Sequence, residues 1–305
     1  MGVLTGILEQ GLICGITALG IYITYQILDF PDLTVDGSYP LGAAVSAVFL
    51  VRGGNPFLAL AASFFAGAAA GICTGIIHVK LRVRDLLSGI IMMTGLYSVN
   101  LRIAGKANVT MFKQETVFEN AAYESILPNG MEVFQTVIMA FLLAMAVKFL
   151  LDAYLKTKSG YLLRAAGDNA TVVTSLARDQ GMVKIVGLSI ANGLVALGGS
   201  VMAQQQRYFD ISMGTGTMVL GLASVIIGTK LLKNVSFVKP TMAVLFGAIL
   251  YKACVAAAIS FGPEMLGLEA KDMKLIMSLL FLLILVVTTE RKKKVKDNAG
   301  TEAGM

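Results

Sequence analysis

Eight stretches of this chain stay apolar long enough to cross a bilayer: roughly 4–28, 57–79, 86–103, 131–154, 184–203, 214–229, 236–260 and 273–289. A helix rises about 1.5 Å per residue and the hydrocarbon core is about 30 Å thick, so about 20 apolar residues suffice to span it. Only 14% of the 305 residues are charged, against about 25% in a soluble domain. The expected fold class is therefore all-α: a polytopic transmembrane helix bundle of about eight or nine spans. One membrane domain is expected over 1–290, followed by a basic tail over 291–305. The uncertain element is 38–51, which at about 21 Å is short for a crossing. It either crosses or forms a broken or re-entrant second element.

Charge orients the spans. Basic connections carry Lys80, Arg82 and Arg84, then Lys156, Lys158, Arg164, Arg178 and Lys184, then Lys230, Lys233 and Lys239, then the tail "ERKKKVKD". They alternate with 104–132, where four glutamates face Lys106 and Lys113, and with the mixed segment 262–272. Basic loops stay on the cytoplasmic side, so the C-terminus is expected there and 104–132 outside. The net charge of +6 thus reports orientation, and no nucleic-acid partner is expected. No Lys or Arg precedes Arg52, and the N-terminus is expected outside if 38–51 crosses. The first span has no basic leader or small-residue cleavage site before Asp29, so it is expected to be retained.

The chain contains no GxxxxGK[ST], HExxH or GxSxG motif. No catalytic residue, no bound cofactor and no metal ligand set is expected. Cys14, Cys73 and Cys254 lie in apolar runs and are expected to be packing residues, and His78 to be interfacial. Inside the spans, Glu9 and Lys252 are taken as the ionisable exceptions, each able to snorkel or pair near an interface. Gly11 and Gly15, and Gly67, Gly71 and Gly75, make small-residue faces on which backbones approach closely.

Two polar stretches interrupt the pattern. "LDFPDLTVDGSYPL", 28–41, holds three carboxylates and two prolines. Its Asp36-Gly37-Ser38 resembles a helix start, with an acceptor before an apolar run. The second, "QQQRYFDISMG", is 204–214. Non-helical backbone at membrane depth is tolerated only when it is buried in protein or lines a cavity. Asp32, Asp36, Gly37, Ser38, Gln204, Gln205, Arg207 and Asp210 are therefore candidates for a pore or a broken helix. The alternative is an ordinary wetted span end. Arg207 and Asp210 stand three apart and suit a pair on one helix face.

The longest basic connection, "TKSGYLLRAAGDNATVVTSLARDQGMVKIVG" from 157 to 187, is amphipathic. Gly160 and Gly181 suit helix boundaries. It is either a helix lying on the membrane or one that docks into a groove on a cytoplasmic partner.

Gly160, Leu163, Arg164, Ala165, Gly167 and Asn169, then Ala177 and Gly181, match a pattern here. In them the segment resembles the cytoplasmic loop of permease subunits of bacterial ABC importers for branched-chain amino acids, simple sugars and nucleosides. Met182 stands where that family often has isoleucine. The resemblance extends over the chain in length and span order. The stretch "FPDLTVDGSYPLGAAV" looks most like the tryptophan/tyrosine-type subgroup.

The resemblance implies a bacterial plasma (inner) membrane protein that forms a homodimer within membrane lipid. Separate ATPase subunits, holding ATP and Mg, dock beneath it, and an extracellular substrate-binding lipoprotein delivers the solute. The loop 157–183 is then the coupling segment. The residues it would use to couple to the ATPase are Gly160, Leu163, Arg164, Ala165, Gly167, Asp168, Asn169 and Gly181. The binding protein's footprint would suit Arg207 and Asp210 as well as a pore does. The implied solute is an amino acid, aromatic if the subgroup label applies. An ion-coupled secondary transporter and an accessory membrane scaffold are the competing classes.

Overall fold

The computed structural model describes residues 2–119, 132–168, 179–233, 235, 238–266 and six positions between 275 and 286. The tail 291–305, most of the expected last span and positions 169–178, with Asn169 and Ala177, lie outside the described residues. Helix α1, Gly2–Tyr22, runs on through a π-helical turn, Ile23–Ile27. There follow α2 (Val35–Val51), α3 (Pro56–Val79), α4 (Asp85–Ala104) and a short strand β1 (Asn108–Thr110). Next come α5 (Glu132–Leu155), α6 (Lys158–Asp168) and α7 (Gln180–Gln206). Strand β2 (Tyr208–Asp210), a 3-10 turn (Ile211–Gly214), α8 (Thr217–Leu231) and α9 (Pro240–Leu266) complete the order.

Among the described residues, seven helical stretches are long and apolar enough to cross a membrane, and α2 is a shorter apolar helix. The chain is a multi-pass membrane protein. Local signals set the helix ends. The Asn55 carboxamide accepts the N–H groups of Phe57 and Leu58 at the head of α3, where Pro56 loses no helical bond. Helix α4 stops at Gly105 with φ +71, a left-handed cap that glycine adopts without Cβ strain.

Helix α7 is the central column, touching α1, α2 and α3 along its length. In lipid there is no hydrophobic drive between helices, so close van der Waals contact must hold them together. The glycine face of α3 supplies it. A Cβ on Gly67, Gly71 or Gly75 would run into α7 at Asn192, Leu188 and Ile185 respectively. The descending partner numbers show the two helices antiparallel. Gly11 and Gly15 of α1 likewise meet Ile249 and Leu245 of α9. Helices α4 and α5 stand at the rim, with 22% and 28% of their apolar windows buried, against 72% for α1 and α7. Cys14 is buried, but Cys73 and Cys254 lie exposed. The packing role expected for those two is not seen within this protomer, because Cys73 on α3 and Cys254 on α9 face outward from it.

Overpacking a tight helix contact costs about 1–3 kcal/mol. Gly71→Leu is therefore expected to lower the unfolding temperature in detergent. Gly95→Ala on α4 places its Cβ in open space and is expected to be neutral or to stabilise by up to about 1 kcal/mol. Size-exclusion survival after heating reads both variants.

Candidate functional site

The first break follows the π turn. Asp29, itself exposed, turns the chain at φ +50, and the segment that follows carries Asp32 and Thr34 into full burial. Asp32 is fully buried. Its carboxylate accepts the Thr34 N–H at 2.9 Å and the Asn192 amide at 2.7 Å. The same Asn192 accepts the Ser38 hydroxyl at 2.7 Å. One side chain thus clasps the chain before and after the start of α2. Thr34 and Thr74 share a hydroxyl bond of 2.9 Å, and Asn100 donates to the Gly37 carbonyl at 3.0 Å. Asn192 is twelve residues into the 27-residue α7, so it stands about 18 Å along a helix about 40 Å long. The network therefore lies near the middle of a span. Stranding one of its polar groups there, with no water to replace the partner, costs several kcal/mol.

The second break precedes α8. Asp36, in the first turn of α2, accepts the N–H groups of Gly216 at 3.1 Å and Met218 at 2.8 Å. Gly214 presses on the Asp36 backbone carbonyl and on Pro40. The N-terminal ends of α2 and α8 therefore meet, and a single carboxylate sits between two positive helix ends. The expected helix start needs a correction here. Helix α2 begins at Val35, with no side-chain cap from Thr34. Asp36 caps α8, because Gly216, at φ +87, turns the unpaired N–H groups of that helix toward it.

At the end of the bundle near 105–119, Gln204 is fully buried. It accepts the Val117 N–H at 3.0 Å and donates to Ser46 at 3.1 Å. Gln205 donates to Glu9 at 2.7 Å, and so accounts for one of the two ionisable residues expected inside the spans. The expected Arg207–Asp210 pair does not form. Arg207 takes φ +58 and ends α7, so helical spacing no longer applies beyond it. It pairs instead with Glu119 and donates to the Phe112 carbonyl at 3.2 Å. Residues 208–210 form β2, antiparallel to β1 with Val109 opposite Phe209. Asp210 accepts from Asn108 and from the Ser212 hydroxyl and N–H. The Ser212 hydroxyl bond is the main influence that holds the Asp210 carboxyl below its ordinary pKa.

At the basic end, α6 is docked under the bundle. Leu163 is fully buried and meets Gly187 of α7. Gly167 lies so close to the Ile27 carbonyl at the foot of α1 that no Cβ fits between them. Gly160 packs as tightly on Tyr154 and Leu155. Arg164 and Asp168 point away and are exposed, and Ala165 is half-buried. Gly181 sits in the first turn of α7, where its N–H is capped by Asp179 at 2.8 Å. His78 meets the Val83 carbonyl at 2.9 Å, the Phe30 ring edge-on and the Lys184 ammonium at 3.4 Å. The foot of α1, the α3–α4 turn and the head of α7 are joined at this point.

Several residues escaped the sequence reading. Lys148 and Asp152 lie inside a span taken as free of charge, and they pair at 3.1 Å with Thr241 and Lys239 closing the site. Their i,i+4 spacing was the available signal. Asn192 and Asn100, single amides within apolar helices, carried the same kind of signal.

Removing the Asp36 carboxylate leaves two N–H groups without partners, at a cost of about 1–3 kcal/mol for each such group that stays buried. Asp36→Ala is expected to lower the unfolding temperature more than Asp36→Asn, which keeps one acceptor oxygen. Equal unfolding temperatures would show that the carboxylate does not hold α8.

Residues 3–288 match the family described as branched-chain amino acid transport system / permease component. The tyrosine transport system permease protein of Clostridioides difficile (strain R20291) is 41% identical over 98% of this chain and 96% of its own length. The ribose import permease protein RbsC of Escherichia coli (strain K12) is 24% identical over 95% and 86%. Among solved structures, a chain of PsaBC from Streptococcus pneumoniae in complex with Fab superposes with a TM-score of 0.50. That superposition covers 91% of this chain and 89% of the other at 12% identity, a likeness of fold alone. The family match over nearly the whole chain leads to one conclusion: this protein belongs to the branched-chain amino acid transport system permease family.

Proposed function

We propose that the chain is the membrane subunit of an ATP-driven importer for an amino acid, with an aromatic one such as tyrosine the first candidate. The observation that carries this reading is the seat of α6. An exposed polar face, with Arg164 and Asp168, looks away from the bundle while Leu163 and Gly167 lock the other face onto it. A partner pressing on that face would move α6 and the foot of α1 together, since Gly167 leaves no slack at Ile27. The motion would pass to the Asp32–Asn192–Ser38 clasp and on through Asp36 to α8. Such a chain of packed elements suits alternating access by rigid-body movement.

In this reading, the partner is an ATPase subunit holding ATP and Mg, because the permease carries no phosphate-binding loop. Two copies of the chain form the transport unit in the inner membrane, with the basic loops and the C-terminus in the cytoplasm. A binding protein delivers solute at the opposite end, where Arg207, Glu119 and Asp210 present charge. The name and 41% identity of the tyrosine permease relative support the solute class.

The test is uptake of labelled tyrosine into vesicles that hold the permease, its ATPase and its binding protein. Gly167→Leu and Arg164→Glu are expected to reduce ATP-driven uptake by about an order of magnitude or more and to weaken co-purification of the ATPase. Unchanged uptake and assembly in both variants would refute the coupling role. Uptake that persists without ATP and collapses with the ion gradient would refute the importer class.

A further inference from the structure

Lys252 has no described role in the clasp or in the α6 seat. It stands twelve residues into α9, about 18 Å from the start of that helix. A lysine at such depth is expensive unless it is paired or faces a wet cavity. Its ammonium reaches the Gln10 carbonyl oxygen at 3.4 Å. Among the described residues it forms no ion pair. The neighbouring acid, Glu9, is taken up by Gln205.

Lys252 lines a cavity of about 180 Å³ between α1, α2, α7, α8 and α9, beside the meeting point of the two breaks. At about 30 Å³ of liquid volume per water, this is room for about six waters or one small organic molecule. The walls are of two kinds. Gln206, Thr17 and the head of α8 at Gly216 are polar, and Met202 and Leu220 are apolar. Thr17 is 1% exposed, and its hydroxyl, packed against Gly198 of α7, has no hydrogen-bond partner among the described residues. A cation on the wall of a cavity with no carboxylate among the described residues to pair with it suits the anionic group of a ligand.

We propose that this cavity within one protomer binds a small amphipathic carboxylate of the amino-acid class, with its carboxylate on Lys252 and its apolar part against Met202 and Leu220. The choice of class rests on the amino-acid permease reading above. The cation supplies the charge complement, Thr17 and Gln206 supply further hydrogen-bonding groups, and the methionine walls adapt to side-chain shape.

The experiment is equilibrium binding of labelled L-tyrosine to the full-length permease in nanodiscs, without binding protein. Saturable binding is expected, displaced by other free amino acids and not by tyramine, which lacks the carboxylate. Lys252→Met is expected to weaken binding by about tenfold or more, and Lys252→Arg to keep it within about threefold, since a guanidinium retains the charge. The heating assay above confirms that both variants fold. No saturable binding by the wild type, equal displacement by tyramine, or full binding by Lys252→Met would each overturn the proposal. The last result would make Lys252 a snorkelling residue only. ATP-driven uptake by the same preparation with its partners tests the permease reading separately. Uptake without nanodisc binding removes this site and leaves that reading standing.

Discussion

The amide of Asn192 ties together a bent stretch of chain where it enters the buried interior of the bundle. Between Leu28 and Thr34 the backbone leaves helical geometry at the foot of α1 and turns back into the bundle, where each polar group left buried without a partner costs several kcal/mol. Asn192 answers on both sides of the bend, donating to Asp32 and accepting from Ser38. It is held there by a bond of its own to the Leu188 carbonyl at 3.1 Å. The glycines of α3 and α2 then bring their helices close enough for the clasp to close, since Gly67 meets Asn192 itself and Gly42 meets Ala196.

The second break depends on the first. Once α2 starts inside the bundle, Asp36 is carried to the head of α8, and that helix gains a carboxylate for its open N–H groups. Two helices that begin at depth and run apart from a shared anion form a joint, and the joint is reached from the basic end through the foot of α1. Helix α6 packs on that foot without room for a methyl group at Gly167. The architecture therefore links a cytoplasm-type basic surface to two interruptions in the bundle through contacts that have little compliance.

Much of this was legible in the sequence, because the bilayer imposes one strong rule. Apolar length located α1, α3, α4, α5, α7, α8 and α9, and the small-residue faces at Gly11, Gly15, Gly67, Gly71 and Gly75 proved to be real contacts. The proline- and aspartate-rich stretch at 28–41 is where the chain leaves the foot of α1 and starts α2, with Asp32, Thr34 and Ser38 fully buried. Pairing was not legible. Helical spacing suggested Arg207 with Asp210, but the left-handed residue that ends α7 redirects Arg207 to Glu119. Asp36 looked like the cap of its own helix, and only the fold brings it to a helix 180 residues later. Lys148 with Asp152 was overlooked because the long apolar run around the pair outweighs two charged residues in a hydropathy sum.

The central claim is that α6 and the foot of α1 move as one body. Distances between paired spin labels in the assembled complex test it most directly, with Cys14, Cys73 and Cys254 replaced. One pair joins Tyr161 of α6 to Asp29 beside the foot, and the other joins Tyr161 to Phe112 at the opposite end; all three positions are exposed. Between the resting and the nucleotide-trapped complex, the first distance is predicted to stay constant while the second changes. A first distance that changes, or a second that stays fixed while ATP drives uptake, would contradict the account.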